Sequence, residues 1–209
     1  MAYSQATYDS LPNDPVYYQR RAEAFRAERA TTGRVIFLGN SITEGGDWKK
    51  LLKDSLVINR GISGDVTFGV LKRLDEVTRH KPTKVFLLIG VNDLSRNTPN
   101  AIILQNIFSI VTRIHNESPR TVVYVQSILP VNPLHKKFPP RFNKQNDIEE
   151  INAQLAKYHE ALKYTYLNIS SQFLDAKFSL DLKYTTDGLH LNEAGYVHWV
   201  NYLRKEKCL

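Results

Sequence analysis

Five short apolar runs punctuate the chain: Val35–Leu38, Leu56–Asn59, Lys84–Ile89, Thr121–Val125 and a stretch near Tyr164–Ile169. Each is rich in β-branched or large aliphatic residues and is too short for a buried helix, so each is expected to be a buried strand. Between them the apolar residues change period. Val66, Val70, Leu74 and Val77 recur at helical spacing, as do Ile103, Ile107, Ile110, Val111 and Ile114, then Ile148, Ile151, Leu155 and Leu162, and finally Val197, Val200 and Leu203. A further helix is expected around Asp47–Asp54. Asp14 followed by Pro15 is a helix start, with an N-cap acceptor and a proline in the first turn; a helix from there to about Ala30 presents Tyr18, Ala22 and Phe25 on one face, suited to packing over a sheet edge.

Strands alternating with helices predict a parallel sheet covered on both faces, an α/β three-layer sandwich with five strands. In such a sheet every strand's carboxyl end opens on one rim, where ligands bind. Residues just past those ends are therefore the first place to look for chemistry. Ser41 follows the first run in Gly39-Asn40-Ser41, Gly61 follows the second, and Asn92 follows the third in Gly90-Val-Asn92-Asp93. Taken singly, each has an ordinary explanation: Ser41 or Thr43 as an N-cap, Gly61 as a turn glycine, Asn92 as an Asx-turn residue. Asp187 and His190 stand three apart in a glycine-containing turn ahead of the last helix, where a carboxylate can fix an imidazole's tautomer. The other five histidines, His80, His115, His135, His159 and His198, read as solvated or hydrogen-bonded.

Composition narrows the classes. With 209 residues and 42% hydrophobic content the chain can bury a core as a single domain, residues 1–33 forming a tail and packing helix and 34–209 the working core. No run is long enough to span a bilayer. The first residues lack a secretion signal, so the chain is expected to be soluble, cytoplasmic if complete and periplasmic or secreted if a leader was removed. The single cysteine, Cys208, excludes an internal disulfide and disfavours a cysteine metal site. The net charge of +7 raises nucleic acid as a partner, but the basic residues are interspersed with acids and no groove-reading motif accompanies them, so none is expected. Ser127–Asn143 holds four of the nine prolines and no acid; with Lys136, Lys137, Arg141 and Lys144 close together, Leu134–Lys144 is either a solvated excursion or a cover that attracts anionic substrates.

Together the blocks Gly39-Asn-Ser41-Ile, Asn59-Arg-Gly61, Gly90-Val-Asn92-Asp93 and Asp187-Gly-Leu-His190 resemble those of the SGNH hydrolases, or GDSL esterases, and the wording at 59–67 and 187–196 resembles the branch of the platelet-activating-factor acetylhydrolase catalytic subunit and bacterial carbohydrate esterases. The resemblance implies a flavodoxin-like SGNH fold and a serine esterase acting on a small acyl, notably acetyl, ester of a carbohydrate or lipid. It implies a triad of Ser41, His190 and Asp187, an oxyanion hole from Ser41, Gly61 and Asn92, no cofactor and no metal. An acyltransferase using the same residues, or a non-catalytic carbohydrate-binding relative, stands as the alternative. Asp93 reads as structural, holding the loop that presents Asn92. One departure is visible: Asn40 stands where the family usually has Asp, which removes a charge beside the nucleophile.

Overall fold

The computed structural model describes residues 14–133 and 144–209. The five apolar runs become parallel strands β1 (Val35–Gly39), β2 (Ile58–Gly61), β3 (Lys84–Leu88), β4 (Val122–Gln126) and β5 (Thr165–Leu167), in the order β2-β1-β3-β4-β5. The chain leaves β1 in one direction to make β2 and returns past it to make β3. The strand order therefore reverses at β1, where doubly wound sheets form a crevice.

Helices follow in the intervals: α1 (Pro15–Ala27), α2 (Ser41–Glu44), α3 (Trp48–Leu52), α4 (Thr67–Lys72), α5 (Leu74–Thr78), α6 (Val91–Ser95), α7 (Asn100–Glu117), α8 (Gln145–Tyr158) and α9 (Glu193–Lys205). α7 packs beside α4, α5 and α8, while α9 packs against α3. With right-handed crossovers these groups cover opposite faces of the sheet, giving the three layers. Phe37 of β1 stacks on Trp48 at 3.9 Å and on Phe86 at 4.8 Å, and Trp48 meets Trp199 of α9 edge-on at 4.9 Å. Each such aromatic burial stabilises the fold by about 2 kcal/mol or more.

Several expectations shift on folding. β2 begins two residues later than its apolar run, because register against β1 pairs Gly39 with Gly61; Leu56 is left 55% exposed. The helix expected through Val66–Val77 breaks into α4 and α5 at Arg73, whose side chain turns inward. The first helix stops at Ala27, and Tyr18, Ala22 and Phe25 form a small cluster with Ile62 beside β2, apart from the main core. The helix start expected with Ser41 or Thr43 as its N-cap falls one residue earlier, since Asn40 caps α2; α6, only five residues long, carries no legible period and was not expected. Of the basic stretch Leu134–Lys144, only Lys144 falls within the described residues; it pairs with Asp147 at 3.4 Å. Among the described residues no helix is long and apolar enough to cross a membrane.

Candidate active site

β1 delivers the chain to Asn40, whose side-chain oxygen accepts the Ile42 N–H at 3.0 Å and so caps α2. Ser41 becomes the first residue of that helix, where a backbone N–H has no intrahelical carbonyl to meet. Asn40 is fully buried and its Nδ2 has no partner, so the amide that replaces the family's carboxylate keeps the cap and leaves one donor unmet.

The imidazole is presented by the turn 185–191, closed by a bridge between Thr185 and Leu191. Thr185 Oγ1 donates to the His190 carbonyl at 2.7 Å and accepts from the Gly188 N–H at 2.9 Å. Asp187 divides its labour: Oδ1 accepts from the N–H groups of Leu189 (3.0 Å) and His190 (2.8 Å), while Oδ2 lies 2.8 Å from His190 Nδ1. Burial pushes the Asp187 carboxyl up, but the hydrogen bonds from the His190 ring and from the His190 and Leu189 amides outweigh it and hold the group below the usual carboxylate range. An ionised Asp187 fixes the proton on Nδ1 and leaves Nε2 as an acceptor. That nitrogen stands 3.0 Å from Ser41 Oγ. A hydroxyl, an imidazole and a carboxylate thus lie in hydrogen-bonded series, an arrangement that can move a proton off the hydroxyl as it attacks an electrophile.

β3 ends at Leu88, and two residues on Gly90 has a φ of 128° and a would-be Cβ only 2.6 Å from Ile128 Cδ1, so only glycine makes this turn into α6. Asn92 follows, 7% exposed, its Nδ2 donating to the Asp65 carbonyl at 2.9 Å. An amide carries two N–H groups, so this bond orients the side chain and leaves the second for another acceptor. Asp93 turns the other way. Its carboxyl accepts from the Thr67 N–H at 3.1 Å and from Thr67 Oγ1 at 2.6 Å, tying α6 to α4, and burial pushes it up to about 7.

Gly61, read alone as a turn glycine and by resemblance as an oxyanion donor, ends β2. Its N–H donates to Asn59 Oδ1 at 2.9 Å, and a Cβ there would overlap the Glu44 amide, so its lack of a side chain lets α2 lie against β2. Asn59, inside a motif but given no part by sequence reasoning, is the clip: its Nδ2 donates to the carbonyls of Thr43 (3.1 Å), Glu44 (3.0 Å) and Gly46 (3.0 Å). Tyr196 of α9 also braces α2, donating to the Ile42 carbonyl at 2.9 Å. His80 is buried with Nδ1 accepting from the Thr31 N–H at 3.1 Å, and His198 bonds the Gln172 carbonyl at 2.9 Å, the ordinary roles expected of them; His115 is half-buried, and its Nε2, shielded from solvent, has no hydrogen-bond partner. Among the described residues no three of His, Cys, Asp and Glu gather as a metal site would require.

Residues 37–197 match the model of the GDSL-like lipase/acylhydrolase family. The chain belongs to that family. It is placed thereby among ester-hydrolysing enzymes. It is similar to the platelet-activating factor acetylhydrolase IB subunit alpha1 of Rattus norvegicus, 29% identical over 78% of this chain and 69% of the relative. An arylesterase of Vibrio mimicus is 32% identical over 47% of this chain; there the match spans only 56% of the relative's length. Among solved structures, a Streptococcus pneumonia protein provisionally described as a platelet activating factor superposes with a TM-score of 0.83 at 28% identity, covering 91% of this chain and 92% of that one. A GDSL-like lipase from Bacteroides thetaiotaomicron gives 0.74 at 28% identity over 92% and 98%.

Proposed function

We propose that this chain is a serine esterase that removes a small acyl group, acetyl foremost, from a carbohydrate or lipid alcohol, with Ser41 as nucleophile. The observation that carries this reading is the 3.0 Å approach of Ser41 Oγ to His190 Nε2, backed by the 2.8 Å contact of Nδ1 with Asp187. His190 takes the Ser41 proton as Oγ attacks the ester carbonyl, then gives it to the departing alcohol. Water, activated by the same nitrogen, releases the acid from the acyl-enzyme. Asp187 stays ionised throughout and stabilises the imidazolium.

The tetrahedral intermediate carries a negative oxygen that needs preorganised donors. The reading assigns it the Ser41 N–H and the second N–H of Asn92 Nδ2. Gly61 N–H adds a third bond only by sharing its hydrogen with Asn59 Oδ1, so its share of the stabilisation is the smallest. The preference for acetyl draws on the relatives named acetylhydrolases, and the carbohydrate or lipid alcohol on the resemblance of residues 59–67 and 187–196 to that branch and the bacterial carbohydrate esterases. The test is a panel of acyl esters of increasing chain length together with acetylated sugars, run on wild type and Ser41→Ala. The expected result is hydrolysis concentrated on the shortest acyl chains and abolished by the substitution. Equal rates for the two proteins would remove Ser41 from the chemistry, and a preference for long chains would remove acetyl.

A further inference from the structure

Arg73 is an arginine in the wrong place for solubility. It interrupts the α4–α5 helical stretch, its side chain is 1% exposed, and it is paired with Asp65, whose side chain is 0% exposed. Burying two ions costs several kcal/mol before their attraction offsets it, so stability is a weak reason to keep such a pair. What the guanidinium touches supplies a better one. Nε donates to Asp65 Oδ2 at 2.9 Å; Nη2 of the same arginine donates to the carbonyl of Gly39 at 3.2 Å and to the carbonyl of Arg60 at 2.9 Å.

Each of those three partners leads directly to a group of the proposed site. Gly39 ends β1, two residues before Ser41, and its carbonyl is also held by the Ile62 N–H at 3.1 Å. Arg60 immediately precedes Gly61. Asp65 is the residue whose backbone carbonyl accepts from Asn92 Nδ2 at 2.9 Å, and its Oδ1 is fixed in turn by the Val66 N–H at 2.9 Å. Gly69 is a glycine because a Cβ would overlap Asp65 Oδ1, so the helix that follows is shaped around this carboxylate. One planar fork therefore links the backbone ahead of the nucleophile, the backbone ahead of Gly61 and the loop that aims Asn92.

We propose that Arg73, through Asp65, is the positioning residue that sets the spacing of the oxyanion donors relative to Ser41. It touches no reacting atom; it acts by holding three segments at one register. The inference rests on the esterase reading, and the experiment separates the two. Lysine can still meet Asp65 with one charge but cannot reproduce the planar fork to two carbonyls.

The experiment measures kcat and KM for p-nitrophenyl acetate in the full chain for wild type, Arg73→Lys, Asn92→Ala, Arg73→Lys with Asn92→Ala, and Ser41→Ala. A displacement of donors by a fraction of an ångström to 1 Å predicts a kcat loss of about 10- to 100-fold in Arg73→Lys with KM within about twofold. Because the part of that loss carried through Asp65 acts on Asn92, Arg73→Lys should cost severalfold less once Asn92 is already alanine than it does alone. A wild-type kcat in Arg73→Lys, or the same fold-loss in both backgrounds, overturns the inference while leaving the esterase reading intact. Full activity of Ser41→Ala sinks the reading itself. Should Arg73→Lys not fold, Arg73→Met combined with Asp65→Asn removes both charges and leaves no uncompensated ion. That double variant should fold and show the same kcat loss. Full activity, or failure to fold, would make the pair a device of stability alone and overturn the inference.

Discussion

Asp187 serves its own turn with one oxygen and the ring of His190 with the other. Asp187→Asn therefore keeps an acceptor for the turn's amides but can present an N–H to Nδ1, which favours the wrong imidazole tautomer. Stopped assays should show kcat down by about 10³- to 10⁴-fold with the melting temperature little changed; a loss below tenfold would deny Asp187 its part. Acidity tests the same pair. Asp187 is held below the usual carboxylate range, so it stays ionised well into the acid range, and since a general base must be unprotonated, kcat/KM should fall on acidification along a limb of one ionisation rather than two. A limb with slope two would mean the carboxylate titrates alongside the ring. The pairing of Asp187 with His190 was legible because three residues of chain settle it. The meeting of His190 with Ser41 across 149 residues was legible only because four motif blocks occur together. Arg73 was not legible, since an arginine within a periodic helical stretch reads as a solvated residue until the fold turns it inward.

At the scale of elements, β2 and α2 depend on each other through Gly61. In Gly61→Ala the new methyl would overlap the Glu44 amide and also crowd the Asn40 carbonyl at 2.8 Å, so α2 must move off the sheet. Overpacking of this kind costs about 1–3 kcal/mol, and urea unfolding should register it together with a fall in ester hydrolysis. Unchanged unfolding would show that α2 is free to shift. The same contact explains where sequence reading slipped on β2. Hydrophobicity marked Leu56–Asn59, but pairing with β1 placed the strand at Ile58–Gly61, and register outranks apolar content at an edge strand. α2 showed only as a helix start with its cap misplaced by a residue, and α6 not at all, for a related reason: helices of four or five residues are held by caps and by the strands they follow, not by an apolar stripe. The long helix α7 followed the pattern closely; α8 keeps Ile148, Ile151 and Leu155 inward but ends at Tyr158, short of Leu162, and in α9 Val200 and Leu203 are buried while Val197 is left 44% exposed.

Across the whole molecule, two carboxyls below the site give stability an unusual pH dependence. Burial pushes Asp65 up to about 6, against the pull of Arg73, and Asp93 up to about 7. A folded chain that holds a proton the unfolded chain releases gains stability as pH falls from about 7 toward 4, by about 1.4 kcal/mol per pH unit for each extra proton. His80, held low by burial and by the Arg60 charge, works in the opposite sense on acidification. Subtracting Asp93→Asn isolates one contribution: the unfolding free energy of wild type relative to the variant should rise as pH is lowered from about 8 to about 5. A difference independent of pH would mean that Asp93 is ionised in the folded state across that interval. Both carboxyls belong to the supports of Asn92, so fold stability and donor placement draw on the same buried groups.

The most direct test of the account is to treat the purified chain with a fluorophosphonate and locate the adduct by peptide mass. Nucleophilic activation of Ser41 by His190 predicts one adduct, on the peptide carrying Ser41, that disappears in His190→Ala while that variant remains folded. An adduct on a different residue, or undiminished labelling without the imidazole, would contradict it.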